Sequence, residues 1–178
     1  MAMLVTHISA ATATLSWMAI EWYKHGKPST LGAVTGAVAG LATITPASGS
    51  CGPLGALFIG AAAGVVCFIA ATSVKRFFGY DDSLDAFGVH GVGGFLGTML
   101  TGVFAAGIFG GQGTVHTNIA GQVAAQAGLC IGTALFCGVV SYVLLKAVDA
   151  TVGLHVGEEV ESQGLDIALH GEEGYIIQ

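Results

Sequence analysis

Three long stretches of the sequence contain no Asp, Glu, Lys or Arg: residues 1–20, 28–74 and 86–145. A transmembrane helix requires about 20 consecutive apolar residues, so these stretches can hold one, two and two membrane-spanning helices. Charged residues make up only 9% of the chain, against about 25% in a typical soluble domain. A soluble fold is excluded because too little polar surface would remain to cover the apolar side chains. The sequence therefore predicts an all-α membrane protein, a polytopic bundle of transmembrane helices.

This charge pattern divides the chain into five spans and a tail. The predicted spans cover residues 3–23, 31–48, 54–74, 84–104 and 119–145. They form a transmembrane domain over residues 1–148, and residues 149–178 form a carboxyl-terminal tail. Every Lys and Arg lies between spans one and two, between spans three and four, or just after span five. The positive-inside rule makes that side cytoplasmic. We therefore expect a multi-pass protein of the cell membrane (the inner membrane in a Gram-negative bacterium), with its amino terminus outside and its carboxyl terminus in the cytoplasm.

His90 is an ionisable residue near the start of the longest uncharged stretch. Ionisable groups inside a membrane are energetically expensive, so this one is a candidate for function. In an α-helix, Ala86, Gly94 and Gly97 would share one face with His90, and Phe87 would border that face. Such a face of small residues permits either tight packing of another helix or a narrow passage. Three interpretations remain open: a packing histidine, a proton relay, and the polar lining of a pore for a small molecule.

Asp82 and Asp85 precede His90 and are predicted to occupy the N-cap and N3 positions of its helix. Carboxylates at these positions accept hydrogen bonds from unpaired N–H groups and complement the helix dipole. Asp82 would lie about 12 Å from His90 along the axis, too far for direct contact. A structural capping role is therefore favoured over direct proton relay.

The spans contain no second catalytic group in a recognisable motif, which disfavours a membrane enzyme. His7 lies in another span, and its predicted depth differs from that of His90 by roughly 10 Å. That difference disfavours a metal ion or haem held between the two rings. We expect no enzymatic activity, no cofactor, no metal and no nucleic-acid partner.

The tail differs in composition from the rest of the chain. From Asp149 onward it carries acidic residues but no Lys or Arg, with Leu, Val and Ile interspersed. A solvated acidic tail and a docked segment both fit this composition. Gly164 suggests a backbone turn that a side chain would block.

Four segments together resemble the ammonium transporter family (Amt, with the Rh proteins as distant relatives). They are THISAATATLSWMAIEW, GAVTGAVAGLATITPASG, DDSLDAFGVHGVGGFLGTMLTG and GLDIALHGEEGY. The resemblance runs over essentially the whole chain. It implies the last five of eleven spans plus the cytoplasmic tail, with the second of two inverted repeats largely present. It also implies assembly of the full-length protein as a homotrimer.

The resemblance assigns roles to individual residues. His90 matches the second of two pore histidines, whose partner lies in the half that this chain lacks. Ala86 matches a pore-facing position, and Asp82 matches an aspartate that shapes the helix end. The regulatory segment of the family's tail matches Gly164, Asp166, His170, Gly171, Glu172 and Tyr175.

The implied function is transport of ammonium or ammonia through a hydrophobic, histidine-lined pore, with methylammonium as an analogue. The implied partners are the lipid bilayer and a PII-type signal protein at the cytoplasmic face. Two alternatives are an inactive fragment and a membrane docking platform for such a regulator.

Overall fold

Helices make up the fold of this chain in a computed structural model that describes residues 1–113, 118–172 and 174. The α-helices are α1 (Ala2–His25), α2 (Thr30–Ile44), α3 (Pro53–Ile69), α4 (Lys75–Phe78), α5 (Val92–Phe104), α6 (Ile119–Thr151) and α7 (Glu158–Gln163). Three wider π-helical segments also occur, at Ala70–Val74, Phe87–Gly91 and Asp166–His170, and a short 3₁₀ turn at Gly107–Phe109. The first π segment joins α3 to α4, and the second leads directly into α5.

Four helical runs are long and apolar enough to cross a membrane. Within the described residues these runs are Ala2–His25, Pro53–Phe78, Phe87–Phe104 and Ile119–Thr151. The predicted second span corresponds to α2, which is apolar but has only 15 residues. The chain is therefore a multi-pass membrane protein with an all-α fold.

Several predicted boundaries differ from the observed ones. The third span continues to Phe78, beyond the predicted limit at residue 74. Helix α2 ends at Ile44, before the predicted limit at residue 48, and turns follow it. Pro46 lies just beyond, and proline lacks the N–H that a continuing helix would need. Helix α6 passes the predicted limit at residue 145 and ends at Thr151. Good helix formers continue there, and Gly153, with φ of +80°, follows the end.

The chain divides into two compact units, Met1–Ile131 and Gly132–Gln178. In the first unit, α1 packs against both α2 and α3 through small residues. A Cβ on Gly40 would come within 2.6 Å of the Ser9 carbonyl oxygen, and one on Gly60 within 2.5 Å. The Ser9 hydroxyl also donates to the Gly40 carbonyl oxygen at 2.9 Å. Close backbone approach of this kind is the usual basis of helix packing in lipid.

The turn after α2 packs against the loop after α5. The Gln112 N–H donates to the Ser50 carbonyl oxygen at 2.9 Å. Phe58 and Phe104 stack with ring centroids 5.9 Å apart. Cys51 is buried here with 2% of its surface exposed, and this burial raises the pKa of the Cys51 thiol.

The second unit contains the end of α6 and the tail. Gly164 follows α7 with φ of +94°, and Gly171 follows the π segment with φ of +64°. Both values lie in the region that side chains other than glycine rarely adopt. The turn proposed at Gly164 from the sequence therefore requires glycine.

Candidate pore-lining site around His90

His90 lies in the π-helical segment Phe87–Gly91 rather than in a regular α-helix. A regular α-helix was expected here from the residue spacing. A π segment holds one extra residue in its turn, because its bonds join residues five apart, and such segments often occur at functional sites. The helix begins at Ala86, two residues after the predicted start of this span.

One side of this segment is largely unpacked within the described residues, apart from an edge contact between the Phe87 and Tyr80 rings, whose centroids lie 5.7 Å apart. Ala86, Phe87 and His90 are exposed. A Cβ added at Gly94 would meet no other atom within 4 Å. The structure therefore brings the four predicted pore residues to the open side of one helical run.

Gly97 does not belong to this open side, and its predicted placement with His90 was wrong. A side chain on Gly97 would collide with the Thr43 carbonyl group of α2. Gly93 lies on the same buried stripe, where a Cβ would come within 2.8 Å of the Thr43 hydroxyl oxygen. The prediction assumed one regular α-helix, whereas His90 lies in a π segment and Gly97 in the α-helix that follows it.

The opposite side of the segment is pressed against the first π segment. A Cβ on Gly88 would come within 2.9 Å of the Ala71 Cα and backbone nitrogen. Val89 is 2% exposed, and the Cys67 thiol lies 3.8 Å from the Val89 carbonyl oxygen. The helical run that carries His90 is therefore buried on the side of Gly88 and Val89 and open on the side of His90.

Asp82 caps the start of this run through its side chain, as expected, but it lies three residues before the N-cap position that was predicted for it, because the helix begins at Ala86. One carboxylate oxygen accepts from the Ala86 N–H at 2.8 Å. The other accepts from the Phe87 N–H at 3.0 Å. These bonds satisfy two of the unpaired donors at a helix start and place negative charge at the positive end of the dipole.

Asp85 does not occupy the N3 position predicted from the sequence. It precedes the helix, and its φ of +54° lies in the left-handed region. Its carboxylate forms an ion pair with Lys75 Nζ at 2.8 Å. Lys75 Nζ also donates to the Asp82 backbone carbonyl oxygen.

Lys75 is the residue of this site that the sequence analysis missed. It lies at the end of the preceding span, only ten residues before Asp85. A basic residue at a helix end, followed closely by a cluster of aspartates, is a signal that could have identified the contact.

The other candidates lie elsewhere in the chain. His7 is exposed on α1, where its Nδ1 donates to the Met3 carbonyl oxygen at 2.9 Å. Across residues 1–113, 118–172 and 174, no group of three or more His, Cys, Asp or Glu side chains could hold a metal ion. In the tail, Asp166, His170 and Glu172 are exposed, whereas Tyr175 lies outside the described residues.

Comparison with known proteins defines the family. The family model described as Ammonium Transporter Family matches residues 1–175. The chain belongs to the ammonium transporter family. An ammonium transporter of Aquifex aeolicus is 45% identical over 174 residues, which are 98% of this chain and 41% of that protein. One from Bacillus subtilis is 42% identical over 179 residues, covering 96% of this chain and 43% of that protein.

Solved structures of Mep2 proteins have the same fold as this chain. Mep2 of Candida albicans is 31% identical, with a TM-score of 0.77 over 89% of this chain and 36% of that chain. Mep2 of Saccharomyces cerevisiae is 29% identical, with a TM-score of 0.73 over 89% of this chain and 37% of that chain. The chain thus spans less than half the length of the relatives that it matches.

Proposed function

We propose that this chain forms the carboxyl-terminal part of an ammonium transporter and that His90 lines its conduction path. The observation that supports the proposal is that His90 lies on the open side of its helical run. The chain also belongs to the ammonium transporter family. The opposite side is buried against Ala71 and α2. This leaves Ala86, Phe87, His90 and Gly94 available to form one wall of a passage.

The chemistry of an imidazole suits such a wall. Moving an intact cation into a low-dielectric interior carries a large desolvation cost. Separating ammonium into ammonia and a proton avoids most of that cost for the nitrogen. A neutral imidazole has one donor and one acceptor nitrogen, so His90 can guide ammonia and relay the proton. This is conduction without covalent chemistry, a cofactor or a metal.

The facing wall belongs to a part of the transporter outside this chain. The chain covers 41% of its Aquifex aeolicus relative. We propose that the remaining part carries the second pore histidine and that the complete protein is a homotrimer in the cell membrane. The external amino terminus and cytoplasmic tail predicted for this chain fit that assembly, since the basic residues then lie inside.

A chimera provides the test. The part of the Aquifex aeolicus relative that precedes the matched region is fused to this chain and expressed in a strain without ammonium transporters. We expect methylammonium uptake from the chimera and none above empty vector from this chain alone. Membrane abundance and trimer size are measured in parallel. A trimeric chimera at normal abundance without uptake contradicts the proposed function, and uptake by the chain alone contradicts the proposed need for a second part.

The tail supports a second candidate function, docking of a cytosolic PII-type regulator. The observation is an acidic segment that contains α7 and a π segment and has positive-φ glycines at residues 164 and 171. A regulator retained by the tail peptide, with no uptake from the chimera, would favour docking as the main role.

A further inference from the structure

We propose that Lys75 is a positioning residue that fixes the direction in which His90 points. The inference rests on the proposed pore role of His90, but its geometry can be measured without transport. Lys75 lies on the helical run before His90 and reaches across to the turn that precedes the His90 helix.

Lys75 links the end of one helical run to the turn that begins the next. Lys75 opens α4, directly after the first π segment. Its Nζ contacts the Asp85 carboxylate at 2.8 Å and also donates to the Asp82 carbonyl oxygen. The two charged side chains are 28% and 32% exposed, so water screens this pair less than a pair on an open surface. One ammonium group therefore holds both ends of the 82–85 turn.

The turn before the His90 helix includes a residue in the left-handed region. Asp85 has φ of +54°, a conformation that is uncommon outside glycine, although Asp adopts it more readily than most residues. The Lys75 ion pair adds a contact that holds Asp85 in this conformation. It also keeps the Asp82 carboxylate in place beneath the Ala86 and Phe87 N–H groups. Without Lys75, both the turn and the helix cap lose a support.

Contacts hold both ends of the π segment Phe87–Gly91 in place. At one end, the glycine stripe of Gly93 and Gly97 locks α5 onto Thr43. At the other end, Lys75 and the Asp82 cap hold the start of the run. Release of that start lets the segment shift by one residue toward α-helix, which rotates preceding side chains by about 100° around the axis.

A second contact between the same two runs supports this geometry. Gly88 meets Ala71 one turn away from the Lys75–Asp85 pair. Ala71 precedes Lys75 by four residues, and Gly88 follows Asp85 by three. The ion pair and the glycine contact therefore form consecutive contacts along a single interface. Loss of the ion pair removes the charged contact at this end and leaves the apolar ones, which include Gly88 with Ala71 and Tyr80 with Phe87.

The test uses the whole 178-residue chain in lipid nanodiscs. Lys75→Met removes the charge, Lys75→Arg retains it, and Arg76→Met is the matched control on the adjacent, exposed residue. Two quantities are measured: amide hydrogen exchange at residues 86 and 87, and the rate at which diethylpyrocarbonate modifies His90. His25, which is exposed at the end of α1, is the internal reference for that rate.

We expect Lys75→Met to raise exchange at residues 86 and 87 about tenfold through local opening. We also expect the His90 modification rate to fall severalfold relative to that of His25, because the ring leaves the open side. Lys75→Arg should keep most of the original behaviour, and Arg76→Met all of it. Unchanged exchange and unchanged His90 reactivity in Lys75→Met overturn the proposal.

Two further results keep the inference separate from protein stability and from transport. If Lys75→Met fails to fold, Asp85→Asn removes the other charge of the pair and keeps the shape of the side chain. It should change amide exchange and His90 reactivity in the same directions as Lys75→Met. Unaltered His90 reactivity in folded Asp85→Asn then overturns the proposal. In the chimera, Lys75→Met should alter discrimination between ammonium and potassium. If the chimera does not transport but the nanodisc results hold, the positioning role stands and the proposed function fails.

Discussion

Gly88 and Ala71 lie in two different π-helical segments and contact each other through their backbones. A Cβ on Gly88 would come within 2.9 Å of the Ala71 Cα. Backbone atoms cannot move aside as a flexible side chain can. The segment that carries His90 can therefore pack this closely on the preceding helical run only because residue 88 has no side chain.

Replacing Gly88 with Ala should destabilise this part of the protein. The added methyl group meets backbone, and such overpacking typically costs about 1–3 kcal/mol. We expect a lower thermal unfolding midpoint in detergent, measured by circular dichroism. Gly94→Ala is the matched control on the same run, because a Cβ there meets nothing within 4 Å. Gly94→Ala should be neutral or slightly stabilising, since alanine favours helix over glycine. Equal midpoints for the two variants would refute the close contact.

His90→Ala in the chimera should change ion selectivity or proton coupling while the helices remain folded. The reason is that His90 lies on the open side and supports no buried contact there. Currents on lipid bilayers and thermal unfolding are compared with those of the parent chimera. His7→Ala is the control, because His7 is an exposed histidine of another span that bonds its own helix. Unaltered transport and selectivity in His90→Ala would contradict a role of His90 in conduction.

Changes in the tail should lower transport if the tail docks on the transporter. Deletion of residues 160–178 removes the segment, and Gly164→Asp forces a side chain onto a backbone with φ of +94°. We expect reduced methylammonium uptake by both variants at unchanged surface expression, because a docked tail biases the balance between open and closed states. Gly157→Asp adds the same charge where φ is −67° and should transport normally. Full uptake by the deletion variant would show that the tail is only a solvated extension.

Cys51 should resist modification from the outside of intact cells. It is 2% exposed, and burial raises its pKa, so less of the reactive thiolate forms at neutral pH. A cysteine introduced by Gly49→Cys lies in the same turn but in open space. A membrane-impermeant maleimide should label that cysteine at least about tenfold faster than Cys51. No labelling of Gly49→Cys on intact cells would place this turn in the cytoplasm and contradict the predicted topology.

Hydropathy and charge were sufficient to predict an all-α membrane fold, because each long span must satisfy its own backbone in lipid. The side-chain cap by Asp82 was predictable for a similar reason, since its partners are only a few residues away in sequence. The four residues on the open side of the His90 run were predicted from helical spacing, and the structure places them together. Their role in conduction stays a prediction.

The sequence could not predict features that depend on packing between helices. The π segments at Ala70–Val74 and Phe87–Gly91 were not predicted, and they contact each other through Gly88 and Ala71. Gly97 was misplaced because a regular helix was assumed there. The Lys75–Asp85 pair was missed because it depends on how the turn at Asp85, with φ of +54°, folds back toward the preceding run.

The π segment before α5 also affects how relatives should be aligned. A relative that has lost one residue between positions 87 and 91 would keep its hydropathy profile and its glycine stripe on α2, because a regular helix would replace the wide turn. A sequence alignment could then place the one-residue gap at any of several positions in this stretch. A histidine matched to His90 across such a gap would have the same neighbours in sequence but would face another direction in space. Assignment of function to distant homologues therefore requires an ungapped match through residues 86–97.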